Sequence, residues 1–385
     1  MATAKRAKLD SKTAEIQAFI DATNAEYERV HCDFEKQFWG TKMNLKAGAF
    51  STAQLGATKE AMEAFLRDAP RLATAKAYAA DATSEQKVVL DCFCRTFACY
   101  QMSSDAAVAL RQKSTAIEDA LSEKRNAMTL GYTVPASGEF EEKSSVGLRT
   151  VMRTADDAAV REAAWRGLRS IGPFALDAGF CDLVRTRNAM AKALGYADFY
   201  DYKVTQAEGF GKTKLFGILD TLRAGSDSLL ARARAALAEE KGADALEPWN
   251  LSYAMAGDVE KRLDPYFPFE KAVGVWGRSF AAMGITYRGA TMTLDLLDRK
   301  GKYSNGFCHW PQPAWRKPDG SWQPTTTNFT SLADPTAVGS GKTALATLMH
   351  EAGHAAHARR RRPCLVRIES RGDDTRNLLS PNERP

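Results

Sequence analysis

Apolar residues recur every three or four positions along most of the chain, which is the period of an amphipathic α-helix rather than of a β-strand. Short turns separate these segments, as in helical hairpins. The sequence therefore predicts a mainly α-helical protein. The predicted helices cover residues 11–30, 51–66, 84–100, 107–128, 154–165, 180–194, 212–241 and 342–357.

A smaller part of the chain predicts β-structure. Alternating and β-branched residues between 285 and 297 indicate two short strands, and residues 325–329 indicate another. Between them, residues 298–323 are rich in Trp, Pro and Gly and predict a structured loop. We therefore expect a few short strands just before the last helix.

One segment interrupts the helical pattern. Residues 131–145 contain Pro135, Gly138 and a run of charged side chains, which is typical of a turn-rich connection. Just after it, Thr154 and Asp157 resemble a capping box that opens a new helix. We predict a helical domain over residues 1–145, a second region over 146–357 and a tail over 358–385.

Composition excludes several classes of protein. The 385 residues are 44% hydrophobic and 26% charged, which is ordinary for a globular protein. No run of 18 apolar residues occurs, so no membrane span is predicted. Seven cysteines are too few for a disulfide scaffold, and no secretory h-region opens the chain. These features predict a cytoplasmic location.

The net charge of +6 says little about partners. Residues 358–385 hold eight arginines and only four acids, so this tail carries most of the excess. The arginines at 359–362 have no interleaved aromatic residues and no accompanying nucleic-acid-binding fold. We therefore predict no nucleic-acid partner.

The chemistry is concentrated in the last predicted helix. Three of the five histidines lie within residues 350–357, which contain the pattern H-E-x-x-H. The spacing places His350 and His354 one turn apart on one helix face, where both imidazoles can bind one zinc ion. Glu351 lies about 100° further around the helix, from where it can reach a metal-bound water. A carboxylate there can take a proton from that water and pass it to a leaving amine.

The sequence around this pattern resembles peptidase family M3, the family of thimet oligopeptidase and oligoendopeptidase F. Residues 348–357 resemble its H-E-x-G-H-x-x-H signature. The resemblance is good over about residues 150–357 and looser before them. Other stretches that resemble the family in order and spacing are 187–196, 247–250, 264–268, 298–302 and 328–329.

The resemblance implies a fold, a cofactor and a substrate. The fold is a mainly α, bowl-like peptidase of the zincin type, whose deep channel admits only short peptides. One Zn²⁺ ion is implied, with His350 and His354 as ligands and Glu351 as general base. The candidate substrate-binding residues are Asn328, Phe329 and His357. A separate hypothesis is that the strand at 325–329 aligns the substrate backbone by strand addition.

The chain departs from the family after the signature. The family's third ligand is a Glu about two dozen residues beyond the second His, and the corresponding window, 377–380, has no carboxylate. Glu369 comes too early and Glu383 too late, so the third ligand stays unknown. The Lys-free, Arg-rich tail suggests a frameshift or a truncated gene model. The alternative to an active peptidase is therefore an inactive family fragment that at most binds peptides.

Three other features are interpreted as structural. Residues 339–343 resemble the end of a phosphate-binding loop but have Thr336 where that loop needs Gly. The cysteines at 92, 94 and 99 are interpreted as small buried hydrophobes. His309 is expected to pack or hydrogen-bond locally rather than contact substrate. Oligomeric state and cleavage-site preference are not fixed by the sequence.

Overall fold

The fold is known from a computed structural model, and helices dominate it, which confirms the mainly α prediction. The structure describes residues 2–46, 50–102, 104–287, 289–303 and 306–357, without the side chains of residues 2–10, 258 and 357. Its α-helices are α1 Ala2–Lys42, α2 Thr52–Leu66, α3 Ala69–Tyr78, α4 Ser84–Tyr100, α5 Asp105–Ala127, α6 Ser145–Thr154, α7 Ala158–Arg169, α8 Ile171–Asp177, α9 Phe180–Ala193, α10 Phe199–Glu208, α11 Lys212–Lys241, α12 Leu251–Leu263, α13 Ala272–Ala282 and α14 Ser340–His357.

The strands are short and form three small sheets. In chain order they are β1 Gly131–Thr133, β2 Phe140–Glu142, β3 Thr291–Leu297, β4 Phe307–Gln312, β5 Trp315–Arg316, β6 Trp322–Gln323 and β7 Thr326–Ala333. The pairs β1–β2 and β5–β6 are antiparallel hairpins, and the third sheet has the order β3-β7-β4. In it β7 is central, parallel to β3 and antiparallel to β4.

Helix α14 packs directly on the central strand. Leu348 of α14 and Phe329 of β7 are each 1% exposed and share one core cluster with Ala272 of α13. Three 3₁₀ turns connect the neighbouring helices, at Ala243–Leu246, Asp264–Tyr266 and Phe269–Lys271. The packing against β7 determines which face of α14 points away from the protein.

The N-terminal end of α14 is held by the segment that precedes α13. The Gly339 amide donates to Asp264 Oδ1 at 2.7 Å, and Lys342 Nζ donates to Glu260 Oε1 at 2.8 Å. Two carboxylates therefore occupy the positive end of the helix dipole. These contacts hold residues 339–342 at the start of α14, and the structural interpretation of residues 339–343 stays a prediction.

Several predicted helices are confirmed within one or two residues, including α2, α4, α9 and α11. The prediction at 11–30 is too short, because α1 continues to Lys42. The prediction misses six helices of 7 to 13 residues, because short segments give few repeats of the helical period. They are α3, α6, α8, α10, α12 and α13.

Other predictions are wrong in detail. The region 285–297 holds one strand, β3, rather than two, and the predicted loop at 298–323 contains β4, β5 and β6. Thr154 opens no helix: it is the last residue of α6, and its hydroxyl donates to Thr150 O. Asp157 caps α7 by itself, by accepting from the Ala159 amide at 2.8 Å.

The segment 131–145 is a turn-rich break that includes the β1–β2 hairpin. Elements on its two sides share a core, because Met102 and Leu110 pack against Met190 and Tyr202. The division into 1–145 and 146–357 stays a prediction. The predicted tail, 358–385, lies outside the described residues.

None of the 30 residues of helix α11 is buried. It exposes several large apolar side chains, namely Phe216, Ile218, Leu219, Leu222, Leu229 and Leu230. Apolar surface of this extent commonly marks an interaction site. Within the described ranges, no helix combines the length and the apolar character that crossing a bilayer requires.

We predict that Gly341→Ala destabilises the protein. A Cβ at this position would overlap the carbonyl oxygen of Phe267, so the start of α14 would have to move. Overpacking of this kind costs about 1–3 kcal/mol or more. Chemical denaturation measures the loss, with Gly353→Ala on the same helix as control, since that Cβ meets nothing within 4 Å. Equal stability of the two variants would contradict the close contact.

Candidate active site

The two faces of α14 have different environments. Ala344, Leu348, Ala352 and Ala355 are each 5% exposed or less, and they follow the helical period along the side that faces the core. At about 100° per residue, His350 and His354 lie on roughly the opposite side. His350 is exposed and His354 is half-buried. The sequence of α14 thus buries its small and apolar residues and turns both imidazoles outward.

The two imidazoles converge on one point. Nε2 of His350 and Nε2 of His354 lie 3.2 Å apart, and the ring centres are 4.9 Å apart with planes inclined at 80°. Two nitrogens bound to one tetrahedral zinc ion, at about 2.0–2.1 Å each, would lie about 3.3 Å apart. The residues present therefore fit a shared zinc ion without a change of rotamer.

Glu351 occupies the flank between the buried and the outward face. It is 8% exposed, although it is a carboxylate one residue after an exposed histidine. A buried carboxylate is poorly hydrated and interacts more strongly with a nearby cation. This position suits a group that exchanges protons beside a metal.

The structure brings no third donor to the pair. No group of three or more His, Cys, Asp or Glu side chains suitable for a metal occurs among the residues it describes. His357 ends α14, but its side chain is not among those described. The carboxylates considered for the third ligand, Glu369 and Glu383, also lie outside the described residues.

The neighbouring strand β4 brings Trp310 against His354, a contact that the sequence does not predict. The indole of Trp310, on β4, meets the His354 ring edge-on, with ring centres 6.2 Å apart and planes inclined at 77°. The Trp310 carbonyl oxygen lies 3.2 Å from Nε2 of His31 on α1. No local sequence signal reveals this contact, because the residues are 44 and 279 positions apart.

His309 has a structural role, as expected. Its side chain is completely buried, and Nε2 lies 2.5 Å from Glu35 Oε2 of α1. Nδ1 lies 3.2 Å from Asn328 Nδ2, and the ring stacks on Trp39 at 5.6 Å. These contacts attach α1 to β4 and so fix the strand that carries Trp310.

The strand-addition hypothesis is wrong for the predicted strand. Because β7 lies between β3 and β4, both of its edges are already paired. The Phe329 side chain is 1% exposed within the core, and Asn328 is 8% exposed and contacts His309. A substrate-binding role for Asn328, Phe329 and His357 stays a prediction, and the first two have packing partners instead.

The stretch 298–302 supports the sheet beneath the site. Lys302 Nζ donates to Asp295 Oδ1 at 3.0 Å and to the backbone oxygens of Asp295, Leu297 and Ser331 at 2.7–2.8 Å. This fully enclosed ammonium joins the end of β3 to β7. The Asp298 carboxylate accepts a hydrogen bond from Ser144 Oγ.

Comparison with known proteins identifies the family of this chain. Residues 151–359 match the family model described as Peptidase family M3. The matched region contains the β3-β7-β4 sheet and the whole of α14. No curated protein matches the chain.

We predict that Trp310 positions His354 for metal binding. Trp310→Ala removes the ring against which the imidazole packs, and loss of a group that orients a ligand typically weakens binding about 10–100-fold. Competition between the protein and a chromophoric zinc chelator measures the dissociation constant. Trp310→Phe keeps an aromatic edge and should stay close to the unmodified protein. Unchanged zinc affinity in a folded Trp310→Ala variant would contradict this role.

Proposed function

Because the chain belongs to peptidase family M3, we propose that it is a zinc-dependent metalloendopeptidase that hydrolyses internal peptide bonds of short oligopeptides. Membership of the family supports a metallopeptidase. The observation that carries the zinc proposal is the 3.2 Å separation of the two Nε2 atoms, one residue away from a buried carboxylate. We assign the catalytic role to the region 146–357.

The proposed roles follow from the positions of the side chains. His350 and His354 hold one Zn²⁺ ion through Nε2, and a ligand outside the described residues completes the site. Bound zinc polarises the scissile carbonyl and lowers the pKa of water. Glu351 takes the proton from the attacking water and later delivers it to the nitrogen of the leaving amine. Trp310 holds His354 in its binding orientation.

The proposed substrates are short and unfolded peptides. A zincin-type, bowl-like arrangement, as the resemblance to the family implies, would limit access to the outward face of α14. The positions of the two imidazoles support peptide substrates. His350 and His354 lie on the side of α14 opposite its buried residues, where an extended peptide can reach them. Substrate length can be tested by comparing peptides of increasing length with a folded protein.

We predict that Glu351→Gln lowers kcat for cleavage of a quenched fluorescent peptide by about 10²–10⁴-fold, because the amide cannot accept the proton. Zinc content should not change, since Glu351 is proposed to act on water and not as a ligand. Elemental analysis of the purified protein measures the zinc. Glu270→Gln, at an exposed carboxylate outside α14, is the matched control. Full cleavage by Glu351→Gln would refute the mechanism.

The same assay decides between catalysis and peptide binding alone. Stoichiometric zinc and cleavage that a chelator abolishes are expected for the enzyme. Two histidines without a third donor bind zinc far more weakly. Substoichiometric zinc with no cleavage would therefore favour the alternative, a family fragment that at most binds peptides.

A further inference from the structure

A buried carboxylate on the N-terminal helix lies between two imidazoles. Glu35 of α1 is 5% exposed, and its Oε2 lies 2.5 Å from Nε2 of His309 on β4. Its Oε1 faces Nδ1 of His31, also on α1, at 3.9 Å. Helix α1 does not belong to the region that matches the family model, residues 151–359. Membership of the family therefore assigns no role to Glu35.

The hydrogen-bond partners of both imidazoles determine which ring nitrogen carries the proton. Asn328 Nδ2 is an amide donor, so Nδ1 of His309, 3.2 Å away, accepts and the ring proton lies on Nε2. His309 then donates from Nε2 to the Glu35 carboxylate. The Trp310 carbonyl oxygen can only accept, so Nε2 of His31, at 3.2 Å, donates to it. In its neutral form each ring therefore has one defined tautomer.

These bonds hold two consecutive residues of β4 from α1. His309 is held through its side chain, by Glu35 and by the ring of Trp39, which stacks on it at 5.6 Å. Trp310 is held through its carbonyl oxygen, by His31. Because adjacent residues of a strand point to opposite faces, fixing both of them fixes the rotation of the strand. The direction of the Trp310 indole is therefore set from α1.

The Trp310 indole is the part of this arrangement that reaches the two outward imidazoles of α14. It meets the His354 ring edge-on at 6.2 Å, and Nε2 of His354 lies 3.2 Å from Nε2 of His350. A rotation of β4 would withdraw the indole and leave the His354 side chain free to adopt other rotamers. Since a ligand that is not pre-oriented loses conformational freedom on binding, zinc affinity would fall.

We propose that Glu35 is a positioning residue of the zinc site, which acts through His309 and Trp310 on the orientation of His354. The inference rests on the proposed function, since zinc is the ion that His350 and His354 are proposed to bind. Glu35 acts at a distance from the metal, by keeping β4 in one orientation. The zinc site then depends on a helix outside the region that matches the family.

The zinc affinity of two variants tests this role, measured by competition with a chromophoric chelator. Glu35→Leu fills a similar space but removes the acceptor for His309, and it should weaken zinc binding about 10–100-fold. Glu35→Gln keeps an oxygen that accepts from Nε2 of His309, and it should stay within about threefold of the unmodified protein. Asp33→Leu, at an exposed carboxylate on the same helix, is the control. Equal zinc affinity of Glu35→Leu and the control would overturn the proposal.

A double-mutant cycle separates positioning from general stabilisation. If Glu35 acts through Trp310, the variant Glu35→Leu/Trp310→Ala should bind zinc as weakly as Trp310→Ala alone. Two independent effects would multiply instead, and that result would contradict the proposal. Thermal unfolding shows whether each variant is folded at the assay temperature. Should Glu35→Leu not fold, His31→Leu takes its place, because it removes the donor to the Trp310 carbonyl oxygen.

One measurement needs no zinc and is therefore independent of the proposed function. The ring protons of His354 are followed by NMR in protein labelled with ¹³C at its five histidines. Loss of the indole ring current should shift the His354 resonances in Trp310→Ala, and in Glu35→Leu in the same direction. If the unmodified protein bound no zinc, the proposed function would fail while this shift would still be expected. Unchanged His354 resonances in folded Glu35→Leu would refute the positioning role.

Discussion

The candidate site depends on one constraint, the close packing of α14 on its neighbours. At the start of the helix, Gly341 leaves room for no side chain against the Phe267 carbonyl. One turn later the buried stripe begins, and Leu348 meets Phe329 in the core. Because both ends of this contact are fixed, the helix cannot rotate. The outward direction of His350 and His354 is then a consequence of where the small and apolar residues lie.

This constraint also explains the environment of Glu351. A residue that follows His350 by one position must lie about 100° around the helix, which brings it towards the buried side. The rotation of about 100° that separates the Glu351 carboxylate from the face with His350 and His354 also turns it away from solvent. The pattern H-E-x-x-H therefore specifies both the pair of proposed ligands and the burial of the proposed base, provided that the face of the helix is fixed.

Sequence alone predicts what is local and periodic. The bounds of α11, the bounds of α4 and the pairing of His350 with His354 all depend on residues within a few turns. What it does not predict depends on contacts between distant segments. The central position of β7, which excludes strand addition there, is decided by β3 and β4. The contact of Trp310 with His354 likewise requires β4 to be held by α1 through Glu35 and His309.

A buried charge is tolerated where the fold itself supplies its hydrogen-bond acceptors. Lys302 is surrounded by four oxygens from Asp295, Leu297 and Ser331, so its charge is balanced within the fold. A fold that provides four acceptors for one ammonium has the means to satisfy a buried charge.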